Sequence, residues 1–139
     1  MKYVLDTNAV SALIKGDRGV VERLERLDRE EVAVPQPVLA ELAYGLERLP
    51  TSARKARLGR RISLIRDELA RCPWTDSVSE SFGHIKADLE RRGERIEDFD
   101  AAIAAHALAH GAVLVTANLA HMSRVRGLEV QDWGKPAEG

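Results

Sequence analysis

Three short, almost wholly apolar runs constrain this chain most: KYVL (2–5), VAVP (32–35) and AVLVT (112–116). None alternates apolar with polar, so each must be covered on both faces. Between them lie segments whose apolar residues recur at helical spacing. Short buried strands separated by helices predict an α/β fold, with a central, mostly parallel sheet of four to five strands flanked by helices.

The helical segments read in order. TNAVSALIKG (7–16) is a helix with Gly16 near its end, and 18–29 carries Val20, Val21, Leu24 and Leu27 at helical spacing. Residues 36–49 form a helix with Pro37 in its first turn and Val38, Leu42, Leu46 and Leu49 on one face. Residues 52–71 form a basic helix with Leu58, Ile62, Ile65 and Leu69 as its apolar stripe. RCPW (71–74) is a weak strand or a connector, 76–92 a helix ended by Gly93, and 93–98 a loop. FDAAIAAHALAHG (99–111) is a helix of small residues with a glycine stop, and LEVQDW (128–133) a final edge strand. One domain over 1–134 and a flexible tail over 135–139 follow.

The 139 residues include no apolar run long enough for a transmembrane helix, and MKYVLDTN meets Asp6 too early for a signal peptide. With Cys72 as the sole cysteine, an internal disulfide is excluded. A cytoplasmic protein without membrane contact is expected, with Cys72 as a buried structural thiol. The net charge of −1 does not advertise a nucleic-acid binder. Locally, though, Arg54, Lys55, Arg57, Arg60 and Arg61 form a basic run that could follow phosphates, or simply be a solvated helix face.

In parallel sheets ligands sit beyond the carboxyl ends of the strands. Asp6, Thr7 and Asn8 end the first strand, while Thr116 and, two residues on, Asn118 end that of 112–116. With Val38 at the centre of its apolar stripe, Glu41 falls about 60° away, at the border of the buried face. Asp100 opens the alanine-rich helix and shares a face with Ile103, Ala104 and Ala107. Taken singly, each acid has an ordinary reading: Asp6 as a helix cap, Asp100 as an answer to the helix dipole, Glu41 as a half-exposed charge. Together they repel, by about 4 kcal/mol for two charges about 4 Å apart at an effective dielectric of about 20. A divalent cation reverses that repulsion, and hard oxygen donors suit Mg²⁺ or Mn²⁺. No zinc signature accompanies His84, His106, His110 or His121; the first three read as surface or structural, and His121 lies nearest the acids.

These motifs resemble a known family. VLDTNxxS at the start resembles the first motif of PIN-domain nucleases of the VapC toxin type, and the run from Pro35 to Leu46, with AELAYGL at its end, resembles the second. DFDAAIAAHALAHGAVLVTAN followed by SRVRGLEVQDW resembles the third and fourth, so the likeness covers nearly the whole chain. It implies a PIN domain and a Mg²⁺- or Mn²⁺-dependent endoribonuclease leaving a 5′-phosphate and a 3′-hydroxyl, with tRNA the leading substrate class. It further implies the toxin role of a type II toxin–antitoxin pair, inhibition by a VapB-type antitoxin, a homodimer and toxin–antitoxin hetero-oligomers. Carried over by motif, Asp6, Glu41 and Asp100 are the metal-holding catalytic acids and Asn118 a further catalytic residue. Thr7, Asn8, Ser11 and Thr116 would support them, and Asp98 is a neighbour. His121 stands where relatives often carry an acid, and Met122 where an aromatic is frequent. Those two positions sustain a rival, a catalytically degraded PIN-like module that binds RNA or protein. A phosphohydrolase with Asp6 as nucleophile is a further rival, although Asn8 stands where it would need a second acid.

Overall fold

The structure, a computed structural model, describes residues 1–134; the tail expected over 135–139 lies outside the described residues. Among these residues five strands form one sheet: β1 (Tyr3–Leu5), β2 (Val32–Pro35), β3 (Ala70–Cys72), β4 (Val113–Val115) and β5 (Val130–Gln131). Every pairing is parallel, in the order β3-β2-β1-β4-β5. Val4, Leu5, Val32, Ala33, Val34, Leu114 and Val115 are all buried, as unalternating apolar runs require.

Among the described residues seven helices connect the strands: α1 (Thr7–Ile14), α2 (Arg18–Glu25), α3 (Gln36–Glu47), α4 (Ala53–Glu68), α5 (Asp76–Arg91), α6 (Asp98–Ala109) and α7 (Leu119–Met122). The chain steps outward from β1 to β2 and β3, then returns to β4 on the other side of β1 and continues to β5. Right-handed crossovers therefore place α1–α4 on one face and α5–α7 on the other. Contacts agree, since α1 touches α2, α3 and α4 while α5 lies along α6. The strand order reverses between β1 and β4, and parallel sheets open a crevice at such a point.

Helix α6 is buried nearly all round, from Ala101 through Ala107, because its alanines let it lie against β1 and β4. Gly111 ends it at φ 63°, and the amides of Gly111 and Ala112 close back on the carbonyls of Leu108 and Ala107. That left-handed cap turns the chain directly into β4.

Several boundaries differ from expectation. The helix expected over 18–29 stops at Glu25; Asp28 then caps a 3-10 turn, Arg29–Glu31, that delivers Val32 into register with Tyr3. The helix expected to reach 71 stops at Glu68, because Ala70–Cys72 pair with β2. The strand expected at 71–74 thus lies one residue earlier, leaving Pro73, which has no N–H to donate, outside the ladder. The edge strand expected over 128–133 keeps only Val130–Gln131. Gly127, at φ 81°, turns the chain before it, and Asp132 accepts from the Gly134 amide after it. Helix α7, a single turn after Asn118, has no counterpart in the sequence pattern. Cys72 is buried and its thiol is pushed up to about 11 by burial, which makes it structural. His106 is fully buried, paired through Nδ1 with the Ala102 carbonyl and set edge-on against Trp74.

Candidate active site

The crevice between β1 and β4 is built by the backbone first. The Asp6 amide donates to the Val115 carbonyl (3.1 Å), which carries the ladder one residue past the strand. There Asp6 turns extended and caps α1, with Oδ1 accepting from the Ala9 amide at 2.8 Å. So the ordinary reading of Asp6 as a cap holds geometrically, and it leaves the other carboxylate oxygen for further partners. The residue is only 4% exposed. Burial is the main cause that raises its pKa to about 6, with Asp100 and Glu41 pushing the same way and the Thr116 hydroxyl and Ala9 amide opposing. The Asp100 carboxyl is also raised, chiefly by burial and then by Glu41, while His121 opposes.

Asp6, just past β1, thus feels both Asp100 of α6 and Glu41 of α3, and Asp100 feels Glu41. Thr7 Oγ1 donates to Glu41 Oε1 at 2.6 Å across the α1–α3 seam. Among the described residues, none of the three acids is in an ion pair. Also among the described residues, no three His, Cys, Asp or Glu side chains stand close enough to ring a metal ion as they lie. The donors are nevertheless the hard oxygens that Mg²⁺ and Mn²⁺ take, and among the described residues no Lys or Arg is paired with them. The set fits such an ion chemically, with Glu41 drawn toward Thr7.

Past β4, the buried Thr116 accepts from the Asn118 amide (2.9 Å), and Asn118 Oδ1 in turn pairs with His121 Nδ1 (2.7 Å). A cleft of about 490 Å³ joins Asp100, Asn118 and His121, with Lys86 and Arg95 on its wall. Sequence reasoning missed the last two. Arg95 sits in the loop that leads into α6, five residues before Asp100; nothing in the sequence aims Lys86 here.

On the other side, a groove of about 670 Å³ runs between α1, α3 and α4 from Thr7 and Glu41. Ser11 lines it, as do Arg54, Arg57 and Arg61, over a floor that includes Leu42 and Ile62. Lys55 and Arg60 are not among its lining, so the basic run divides into two faces. Arg61 also donates to the Ile14 carbonyl at 3.2 Å. Asn8 is exposed and lines a smaller cavity beside Thr116 and Asp132 rather than the Glu41 groove. Asp98 is paired with Lys86 at 3.1 Å and lines the same cleft as Asp100.

The family model for the PIN domain matches residues 3–128. The chain belongs to the PIN-domain family. Among its relatives, Ribonuclease VapC2 of Haemophilus influenzae is 36% identical, over 96% of this chain and 98% of that one. The tRNA(fMet)-specific endonuclease VapC of Shigella flexneri is 30% identical over the same shares. The crystal structure of DNA-bound VapBC from Salmonella typhimurium superposes with a TM-score of 0.86 at 30% identity, covering 96% of this PIN domain and 98% of that chain. The five-stranded parallel sheet and its helices are thus the PIN fold, and the crevice lies at its strand-order reversal.

Proposed function

We propose that this chain is a divalent-metal-dependent endoribonuclease, the toxin half of a VapB–VapC-type pair, with Asp6, Glu41 and Asp100 holding Mg²⁺ or Mn²⁺. The observation that carries the reading is a pair of buried, raised carboxyls, Asp6 and Asp100, both acted on by Glu41 from a third segment, with none of the three in an ion pair among the described residues. Full-length likeness to VapC ribonucleases supports it.

A bound divalent cation supplies charge stabilisation at phosphorus and acidifies water in such sites. The chain's own residues do the rest. The Ala9 amide and the Thr116 hydroxyl hold the Asp6 carboxylate and the Thr7 hydroxyl holds Glu41, which restricts the rotamers of both. Glu41, tied at one oxygen only, is the group suited to accept a proton from the attacking water. Arg54 and Arg57 flank the groove on one side and Lys86 and Arg95 the cleft on the other, giving the phosphates of a strand threaded through the site cationic contacts on both flanks. Two relatives are named as endonucleases specific for tRNA(fMet), which makes tRNA the first substrate to test. Relatives solved as VapBC pairs support a VapB-type antitoxin as partner.

Asp6→Asn and Asp100→Asn should each abolish Mn²⁺-dependent cleavage of tRNA, leaving a 5′-phosphate signature only in the parent, while circular dichroism shows an intact fold. Full activity in either variant would refute the assignment. Calorimetric Mn²⁺ titration separates an enzyme from a degraded binding module, since only the enzyme should bind the ion and lose it with Asp6→Asn.

A further inference from the structure

Lys86 and Arg95 both line the cleft that holds Asp100, but they are not equivalent. Lys86 is already paired with Asp98, at 3.1 Å. Arg95 is in no ion pair among the described residues, although Glu97, Asp98 and Asp100 line the same cleft. Its guanidinium is therefore open to an outside anion. Arg95 lies between α5 and α6 and belongs to neither, so no helix fixes its place. A chain of side-chain contacts does. Asp88 Oδ2, on α5, accepts from Arg92 Nε at 3.0 Å and from its Nη2 at 2.8 Å. The same Nη2 donates to the Arg124 carbonyl, and Nη1 of Arg92 to Glu94 at 3.3 Å. Arg124, just past α7, then donates through Nη1 to the Arg95 carbonyl at 3.1 Å. Every bond in the chain has a guanidinium donor, which makes it charge-assisted and stronger than a neutral one. The Asp88 and Arg92 side chains are only 18% and 23% exposed, so the root of the chain is less screened than a surface pair.

We propose that Arg95 is the cation of this cleft that binds an RNA phosphate, and that Arg124, itself held by Arg92 and Asp88, is the residue that positions it. The inference rests on the endoribonuclease reading above and deepens it, by choosing between the two cations of the cleft and naming the support behind the chosen one. Arg124 acts through the backbone of Arg95. Its loss frees the turn and lowers the share of time that the Arg95 guanidinium spends at the cleft.

The test is a double-substitution cycle read by binding of a tRNA transcript, in the full chain carrying Asp6→Asn so that the RNA survives. Arg95→Gln should weaken binding by about tenfold, the scale of one charged hydrogen bond. It should also reduce the slope of log affinity against log salt by about 0.7–0.9, as one lost phosphate contact does. Arg124→Gln should do nearly the same alone and add little once Arg95 is replaced, because residues that act as one unit are not additive. Arg124→Lys, which keeps a charged donor for the carbonyl, should recover most of the loss. Arg126→Gln removes the same charge two residues on, where the contact is a 3.9 Å approach to Asp88, and should leave binding and slope nearly unchanged. An equal loss from Arg124→Gln with and without Arg95, or no recovery in Arg124→Lys, overturns the positioning role. If Arg95→Gln binds tRNA as its parent does, the inference falls, while Mn²⁺-dependent cleavage by the chain with Asp6 intact leaves the endoribonuclease reading standing. Neither binding nor cleavage of tRNA overturns both.

Discussion

At the scale of single residues, Asp6 shows a cost accepted for function. Its carboxyl is raised from 3.8 to about 6, mainly by burial. Because the folded value lies above the unfolded one, protonation favours the folded state. The stability it contributes is fully present below about pH 3.8 and is lost as the pH rises through about 6. At pH 8 the metal-free protein thus carries a penalty of about 3 kcal/mol, since each pKa unit is worth about 1.36 kcal/mol. Asp6→Asn keeps an acceptor for the Ala9 amide and has no charge to bury. In chelator, Asp6→Asn should melt higher than the parent at pH 8, with the gap closing toward pH 4; a gap that does not move with pH would show that burial of this charge is not what Asp6 contributes. Added Mn²⁺ should raise the melting temperature of the parent and not of Asp6→Asn.

At the scale of elements, the sequence was most legible where local chemistry decides the outcome. The apolar runs became β1, β2 and β4, and the glycine stop at Gly111 took the positive φ that only glycine adopts freely. Legibility failed where the deciding partner is distant. β3 and β5 exist only because β2 and β4 supply ladders, so their ends follow pairing rather than composition. The same divide runs through the site: a motif pointed to Asp6, Glu41 and Asp100, but no spacing encodes the bond from Thr7 to Glu41 across 34 positions. Gly19 in α2 is another such case. A Cβ there would come within 2.3 Å of the Trp133 carbonyl oxygen, a backbone atom that cannot step aside. Gly19→Ala should therefore destabilise by about 1–3 kcal/mol in urea unfolding, as overpacking does. Gly83→Ala, inside α5 with nothing within 4 Å, should instead stabilise by about 0.5–1 kcal/mol through helix propensity. Equal effects of the two would mean that α2 does not dock on the chain end as described.

At the scale of the whole molecule, if Asp6, Glu41 and Asp100 form the site as proposed, a chain with a net charge of −1 has to bring a polyanion to three acids. Bulk charge cannot do this, so the cations have to be local, and the fold sorts them. Arg54 and Arg57 face the groove that ends at Thr7 and Glu41, whereas Lys55 and Arg60, from the same helix, are absent from its lining. Sequence pattern gave all of them equal standing, because a basic helix announces its charge but not its azimuth. The distinction is measurable. In an Asp6→Asn background, which spares the RNA, reversing Arg54 and Arg57 to Glu should weaken tRNA binding and flatten its dependence on salt. Losing two phosphate contacts should reduce the slope of log affinity against log salt by about 1.4–1.8. The matched reversal of Lys55 and Arg60 adds the same net charge to the protein and should change that slope far less. A general field effect would weaken both pairs alike, and would remove the groove from the binding path while leaving the acids in place. A selective loss at Arg54 and Arg57, with Mn²⁺ affinity measured separately on chains that retain Asp6 and found unchanged, would tie the groove to the crevice as one continuous track for RNA.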